Sequence, residues 1–244
     1  MASNMRAIIL AAGRGSRMGG LTSDQPKCRT VLGGRELIDY QIDSISQSGI
    51  KNISIVTGYL SDSFDFDLTY FHNQRWSQTN MVYSLLSASE WLKRYDCIVS
   101  YSDIVYPHKV VEKLKSSTAD IAITYDTNWK SLWSLRFENP LSDAETFKLN
   151  GGTVTEIGKK TSCYSEIEGQ FMGLVKFTPN GWRVINKYIS KLSSHEIDRL
   201  DMTALLQLLI TKGVKVIGVP IDDQWFEVDT ESDLEVYERI LNNG

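Results

Sequence analysis

The chain has few of the residues that mark disulfide scaffolds, metal clusters or membrane spans. Its 244 residues include three cysteines, Cys28, Cys97 and Cys163, far apart and odd in number. None stands at Cys-x-x-Cys spacing, which excludes a zinc ribbon or dithiol motif, and three do not make a disulfide framework. They read as reduced thiols of a cytoplasmic protein. The three histidines, His72, His108 and His195, have no carboxylate or cysteine at ligand spacing and read as surface or structural residues. No apolar run approaches the roughly 20 residues of a membrane span, and MASNMRAIIL carries too short a run for a signal peptide. There is no repeat, low-complexity tract or clear linker. A net charge of −4 argues against a nucleic-acid surface.

What is present is the composition of an enzyme-sized α/β chain, 42% hydrophobic and 23% charged, long enough for one large domain over residues 1–244. Ala7-Ile8-Ile9-Leu10 has the continuous aliphatic character of a strand buried on both faces of a parallel sheet. Apolar spacing over 37–45, ending at Gly49, predicts a helix, and residues 53–57 a second strand, so the order implies parallel pairing with a right-handed crossover. Further strands are predicted at 68–71, 97–101 and 121–125, with helices from Asn80 to about 93 and after Pro107. From Asp126 the pattern becomes irregular, then resumes as strands at 147–150, 154–157 and 170–177. Helices at 181–190 and 201–212 follow, then strands at 215–219 and 225–228. A last helix is capped by Thr230, with Asp233 close to a capping-box position. The expected architecture is a Rossmann-like α/β fold: a mixed, mostly parallel sheet flanked by helices, with a small β-rich lid insertion over 126–180.

The chemistry is concentrated in residues 10–27, LAAGRGSRMGGLTSDQPK, at the carboxyl end of the first strand, where open α/β sheets bind ligands. Gly13 and Gly15 allow positive φ and close approach, so successive amide N–H groups can form an anion nest. Arg14, Arg17 and Lys27 surround it with positive charge. The spelling excludes a dinucleotide fingerprint, because Met18 stands where a third small residue belongs, and a P-loop, because Gly-Lys-Ser/Thr is missing. From glycine spacing alone, a plain strand-to-helix turn is an equal alternative.

Asp103 and Asp229 each end a predicted strand. Two carboxylates converging on a triphosphate suit Mg²⁺, which is held by one or two carboxylates plus phosphate oxygens. Position alone favours the other reading, that each caps the helix after it.

LAAG-x-G-x-R followed by Pro-Lys resembles the signature loop of the nucleotidyltransferases that make NDP-sugars and CDP-activated small molecules. The resemblance continues through TNMVYSL, SDIVY, LWSLRFENPLSDAETFKL, EIGKK, EIEGQFMGLVKF and WFEVDT, nearly the whole chain. It is strongest toward the cytidylyltransferases of phosphocholine, phosphonates and, above all, L-glutamine phosphate in capsule biosynthesis. The resemblance implies CTP as donor and a small phosphorylated or phosphonate acceptor, with Mg²⁺ on Asp103 and Asp229. It implies nucleotide contacts from Leu10, Ala11, Ala12, Gly13, Arg14, Gly15, Asn80, Ser84 and Asp103. Arg17 and Lys27 would bind the triphosphate and Lys159 the acceptor phosphate, with Lys160 the second choice. The acceptor pocket would be lined by Trp129, Trp133, Arg136 and Glu168, the tryptophans caging a quaternary ammonium or Arg136 taking a carboxylate. Packing of both tryptophans onto the core is an equal alternative, and Asp126 is open between the pocket and water. A homodimer is a possible assembly, and no nucleic acid or membrane partner is expected. The departure from the pattern is Met18-Gly19-Gly20-Leu21-Thr22, which lacks the proline often found before Leu-Thr. The competing activities are a sugar-1-phosphate nucleotidyltransferase and, from another class, an inactive scaffold, which would have lost Lys27 or one of the two aspartates.

Overall fold

The first apolar run becomes the strand on which the other layers are laid. In the computed structural model, which describes residues 4–243, β1 (Arg6–Ala11) has Ala7, Ile8 and Ile9 fully inaccessible. A short hairpin, β2 (Val31–Leu32) and β3 (Arg35–Glu36), leads into α1 (Leu37–Gln47). The chain returns through β4 (Asn52–Thr57), parallel to β1, and β5 (Thr69–His72), parallel to β4. Next come α2 (Met81–Ser87) and α3 (Ser89–Leu92). The single helix expected here is broken at Ala88, whose ψ of 15° is not helical.

The second half continues with β6 (Cys97–Tyr101), β7 (Ile104–Val105), α4 (His108–Ser116) and β8 (Ile121–Asp126). It then forms α5 (Trp129–Arg136), β9 (Glu145–Asn150), β10 (Thr153–Lys160), β11 (Gln170–Phe177) and α6 (Pro179–Ile189). Last are α7 (Ser194–Arg199), α8 (Met202–Thr211), β12 (Ile217–Ile221), β13 (Phe226–Glu227) and α9 (Glu231–Asn243).

Among the described residues nine strands form one sheet, in the order β5-β4-β1-β6-β11-β8-β12-β10-β9. All but β10 and β11 run in the same direction. The β-rich segment after residue 126 is woven into this sheet rather than standing beside it: β11 is wedged antiparallel between β6 and β8, and β9 and β10 extend the far edge. The stretch read as irregular from Asp126 contains α5. Its signal was the i, i+4 pair Trp129 and Trp133, both buried against the sheet.

Side-chain alternation along β1 divides the core. Ile8 and Leu10 face a layer from α2, α6 and α8, including Leu85, Trp182, Leu205 and Leu209. Ala7, Ile9 and Ala11 face α1, α4 and α5, including Ile38, Ile45, Val110 and Trp129. A third cluster joins Met18, Leu37, Phe226 and Tyr237, fastening α9 beneath the loop that follows β1. Among the described residues no helix is long and apolar enough to cross a membrane.

That loop is shaped by Gly15, which adopts φ 72° and ψ 49° and precedes a 3-10 turn over Ser16–Thr22. The stem of Lys27 crosses it so closely that a Cβ at Gly15 would lie 2.7–2.9 Å from three Lys27 carbons. A Cβ at Gly13 would meet nothing within 4 Å. Gly15→Ala should therefore lose about 1–3 kcal/mol of stability, strain and clash together, in urea unfolding. Gly13→Ala should stay within about 0.5 kcal/mol of wild type.

Candidate active site

Two connections far apart in sequence meet above the carboxyl end of β1. Asp103 lies in the tight link between β6 and β7, and Asp229 between β13 and α9. Strands β7 and β13 pair antiparallel, Glu227 opposite Ile104 and Phe226 opposite Val105. The pairing extends by one hydrogen bond, Val228 N–H donating to Asp103 O at 2.8 Å. This short ribbon, separate from the main sheet, brings the two carboxylates together. Thr230 and Asp233 form the expected reciprocal cap: Asp233 N–H donates to Thr230 Oγ1 at 3.3 Å and Thr230 N–H to Asp233 Oδ2 at 2.9 Å. Asp233 Oδ2 also accepts from Asp229 N–H at 2.9 Å, which leaves the Asp229 carboxylate free of capping duty.

Lys27 fills the space between the two acids. Its Nζ donates to Asp103 Oδ2 at 2.7 Å and to Asp229 Oδ1 at 2.6 Å, and the side chain is only 8% exposed. Burial opposes the ammonium charge, but the two carboxylates outweigh it and raise the Lys27 pKa. Arg17 Nη2 adds a bond to Asp229 Oδ1 at 2.9 Å. Burial likewise opposes the Asp229 charge, yet Lys27 and the neighbouring arginines hold its pKa below the usual value.

Behind Asp229, the Arg136 guanidinium is wholly buried. It reaches Glu227 Oε2 at 2.7 Å, Asp233 Oδ1 at 2.9 Å and Asp229 Oδ2 at 3.5 Å. Burial works against its charge and the surrounding carboxylates overcome it, raising its pKa. Glu227 is pushed up to about 7, first by burial and then by Asp229, against the pull of Arg136. Its side chain keeps 23% exposure, at the floor of a cleft of about 370 Å³. Arg17, Tyr101, Trp133, Glu145, Lys160 and Asp201 are among the cleft's other walls.

The expected site residues divide sharply. Leu10 and Ala11 end β1 and Ala12 follows it, all three buried, and Ala12 O accepts from Tyr59 N–H at 2.9 Å. Arg14 is exposed, its guanidinium 5.7 Å from the Tyr59 ring. Lys27, Arg17, Asp103 and Asp229 come together as described. Asn80 caps α2, accepting from Met81 N–H at 2.7 Å, and its amide donates to Arg199 O at 3.2 Å. Ser84 Oγ accepts from the buried Asn73 amide at 3.0 Å.

On the acceptor side, Trp133 lines the cleft and donates to Asp143 Oδ2 at 3.0 Å, while Trp129 packs on Trp133 and Tyr164 away from it. Arg136 lies beneath the cleft, engaged by its carboxylates, rather than reaching into it. Glu168 is exposed and accepts from Leu149 N–H at 2.7 Å, fastening β9 instead of facing the cleft. Asp126 is buried and accepts from Trp225 Nε1 at 3.0 Å and Asn128 N–H at 2.7 Å. Lys159 turns outward to Glu156 at 2.6 Å, whereas Lys160 lies on the cleft with its Nζ on Asp143 O at 2.8 Å. Of the two lysines, Lys160 is the one on this cleft.

Glu227, Glu145, Asp201 and Tyr101 were not singled out in the sequence. For Glu227 a signal existed: Glu-x-Asp on a strand places both carboxylates on one side. Asp201 is visible in sequence only as the cap of α8, accepting from Ala204 N–H at 2.7 Å. Removing the cation behind the site tests this electrostatic frame. Arg136→Met should cost about 3–5 kcal/mol of stability in urea unfolding, because it leaves buried carboxylates uncompensated.

The chain is similar to proteins already known. Residues 7–144, more than half of the chain, match the MobA-like NTP transferase domain. The CTP:phosphoglutamine cytidylyltransferase of Campylobacter jejuni is 40% identical over 95% of this chain and 98% of its own length. The choline-phosphate cytidylyltransferase of Streptococcus pneumoniae is 37% identical over 36% of this chain and 41% of its own. Among solved structures, the inositol-1-phosphate CTP transferase of T. maritima superposes with a TM-score of 0.77 over 98% of this chain and 97% of that one, at 20% identity. The CTP:phosphocholine cytidylyltransferase of S. pneumoniae gives 0.72 over 98% and 99%, at 21% identity. Those two likenesses support the fold, while the full-length relative and the domain match establish the family: the chain is a nucleotidyltransferase of the MobA-like NTP transferase family.

Proposed function

We propose that the protein transfers CMP from CTP to L-glutamine phosphate, releasing pyrophosphate. The observation that carries this reading is the joining of the Lys27–Asp103–Asp229 cluster to a cleft with both a lysine and several carboxylates on its walls. The end-to-end relationship to a phosphoglutamine cytidylyltransferase supports the choice of substrates.

In the reaction, an oxygen of the acceptor phosphate attacks the α-phosphorus of CTP. A new P–O bond forms while the bond to the bridging α,β-oxygen breaks, and its electron pair leaves with pyrophosphate. No protein nucleophile is required. The protein's contribution is to align the two phosphates and neutralise the developing charge. Lys27 and Arg17 bind the triphosphate delivered by the loop at Gly13–Gly15, and the main chain at Ala11 and Ala12 faces the pyrimidine. Lys160 holds the acceptor phosphate, a role that the outward-facing Lys159 is badly placed to share. The carboxylates of Glu145 and Asp201 suit the α-ammonium of an amino-acid acceptor, which a sugar phosphate lacks. On this reading the enzyme works in the cytoplasm.

The donor set also fits Mg²⁺. Asp103 Oδ1 is buried without a hydrogen-bond partner, and Asp229 faces the same ammonium as Asp103. These two residues would hold the ion, with the triphosphate oxygens completing a hard oxygen shell. When bound, it supplies further neutralisation of phosphate charge.

Pyrophosphate release should be seen with CTP and L-glutamine phosphate in Mg²⁺, and not with UTP, GTP or dTTP. Phosphocholine, 2-aminoethylphosphonate and glucose 1-phosphate should be poor acceptors; a preference for glucose 1-phosphate would overturn the reading in favour of an NDP-sugar enzyme. Asp103→Asn should lower kcat/KM by roughly 10³-fold with the fold intact by circular dichroism. Lys160→Ala should raise KM for the acceptor roughly tenfold or more, and Lys159→Ala less than about twofold.

A further inference from the structure

Asp103 and Asp229 are both paired with protein cations, and the pairing is lopsided. Both oxygens of Asp229 are engaged: Oδ1 by Lys27 at 2.6 Å and Arg17 at 2.9 Å, Oδ2 by Arg136 at 3.5 Å. Asp103 Oδ2 is taken by Lys27 at 2.7 Å, while Oδ1 is buried with no partner. A divalent cation could therefore find one unclaimed oxygen here, but could not use Asp229 without displacing an ammonium or a guanidinium already on it. Two cations cannot share this space cheaply, because like charges a few ångströms apart repel strongly where water is scarce.

The backbone of Lys27 is not free to retreat. It sits in a 3-10 turn over Lys27–Arg29, closed by Thr30 N–H on Lys27 O at 3.0 Å and Arg29 N–H on Pro26 O at 2.9 Å. Its aliphatic stem, however, crosses Gly15 in the same loop to which the proposed triphosphate site belongs. The ammonium thus has two stations within side-chain reach, the carboxylate pair and the phosphates over the glycine loop.

We propose that Lys27 is a resident lock on the divalent-cation site, released by the nucleotide. Without nucleotide, its ammonium occupies the place between Asp103 and Asp229 and keeps metal affinity low. Arrival of the triphosphate draws the ammonium onto phosphate and frees both carboxylates for the ion. Metal and nucleotide then bind with positive coupling, each strengthening the other by the same factor. The proposal rests on the nucleotidyltransferase reading of the site, but not on the identity of the acceptor.

The test is binding of Mn²⁺ as probe, by electron paramagnetic resonance and calorimetry, to the full chain at constant pH with no acceptor and no turnover. Lys27→Gln and Lys27→Met should each bind Mn²⁺ at least tenfold more tightly than wild type in the absence of nucleotide. Adding Asp103→Asn to either variant should abolish that gain. Wild type should gain at least tenfold when a non-hydrolysable CTP analogue is present, after correction for Mn²⁺ bound to free analogue, and the Lys27 variants should gain much less. Circular dichroism confirms folding of every variant, and two substitutions of different polarity guard against one that misfolds. Nucleotide-free wild type binding Mn²⁺ as tightly as the variants would overturn the lock while leaving the transferase reading intact. Failure of wild type to bind Mn²⁺ even with the analogue would overturn the metal assignment itself.

Discussion

Everything at the site depends on one buried ammonium lying between two carboxylates. Lys27 sits between Asp103 and Asp229, donated by three separate parts of the chain, and it is nearly closed off from water. A charge so placed is tolerable only when it is paired. The surrounding structure can be understood as the means of meeting that requirement. Gly15 makes room for the lysine stem, the Thr230–Asp233 cap carries the amides that Asp229 would otherwise have to satisfy, and Arg136 balances the acids from below.

This frame is made from very little regular structure. Strands β7 and β13 have two residues each, and the main sheet does not include them. Their pairing nevertheless fixes the separation of the two aspartates, and the cluster of Met18, Leu37, Phe226 and Tyr237 anchors that pairing to the glycine loop and to α9. The same arrangement puts the carboxylates at one end of the acid-walled cleft. A phosphate arriving over the loop and a second phosphate held by Lys160 would therefore meet beside the same pair of aspartates. Positioning and charge neutralisation are what phosphoryl-group transfer needs from a protein.

Much of the fold was legible because its signals are local. The aliphatic run of β1, the left-handed glycine after α1 and the Thr230–Asp233 cap each declare themselves within a few residues, and each is found where expected. What was illegible depended on distant partners. Nothing in residues 126–180 shows that β11 enters the middle of the sheet rather than a separate lid, because that choice is made by β6 and β8. The two lysines after Gly158 are told apart only by tertiary surroundings. Gly158 has φ 83° and the β9–β10 register shifts between Ile157 and Lys160, so simple alternation fails there. Arg136 shows the same limit in electrostatics: a basic residue near the expected pocket looks like a ligand for a carboxylate substrate, and in the fold its carboxylates are Glu227, Asp229 and Asp233.

The most direct test of the central role of this cluster is a crystal structure with a non-hydrolysable CTP analogue and Mn²⁺, the ion located by its anomalous signal. The account predicts one ion bound by Asp103, Asp229 and phosphate oxygens, with the Lys27 ammonium transferred to the triphosphate. An ion bound elsewhere, or a nucleotide bound away from the glycine loop with Lys27 still on both aspartates, would contradict it.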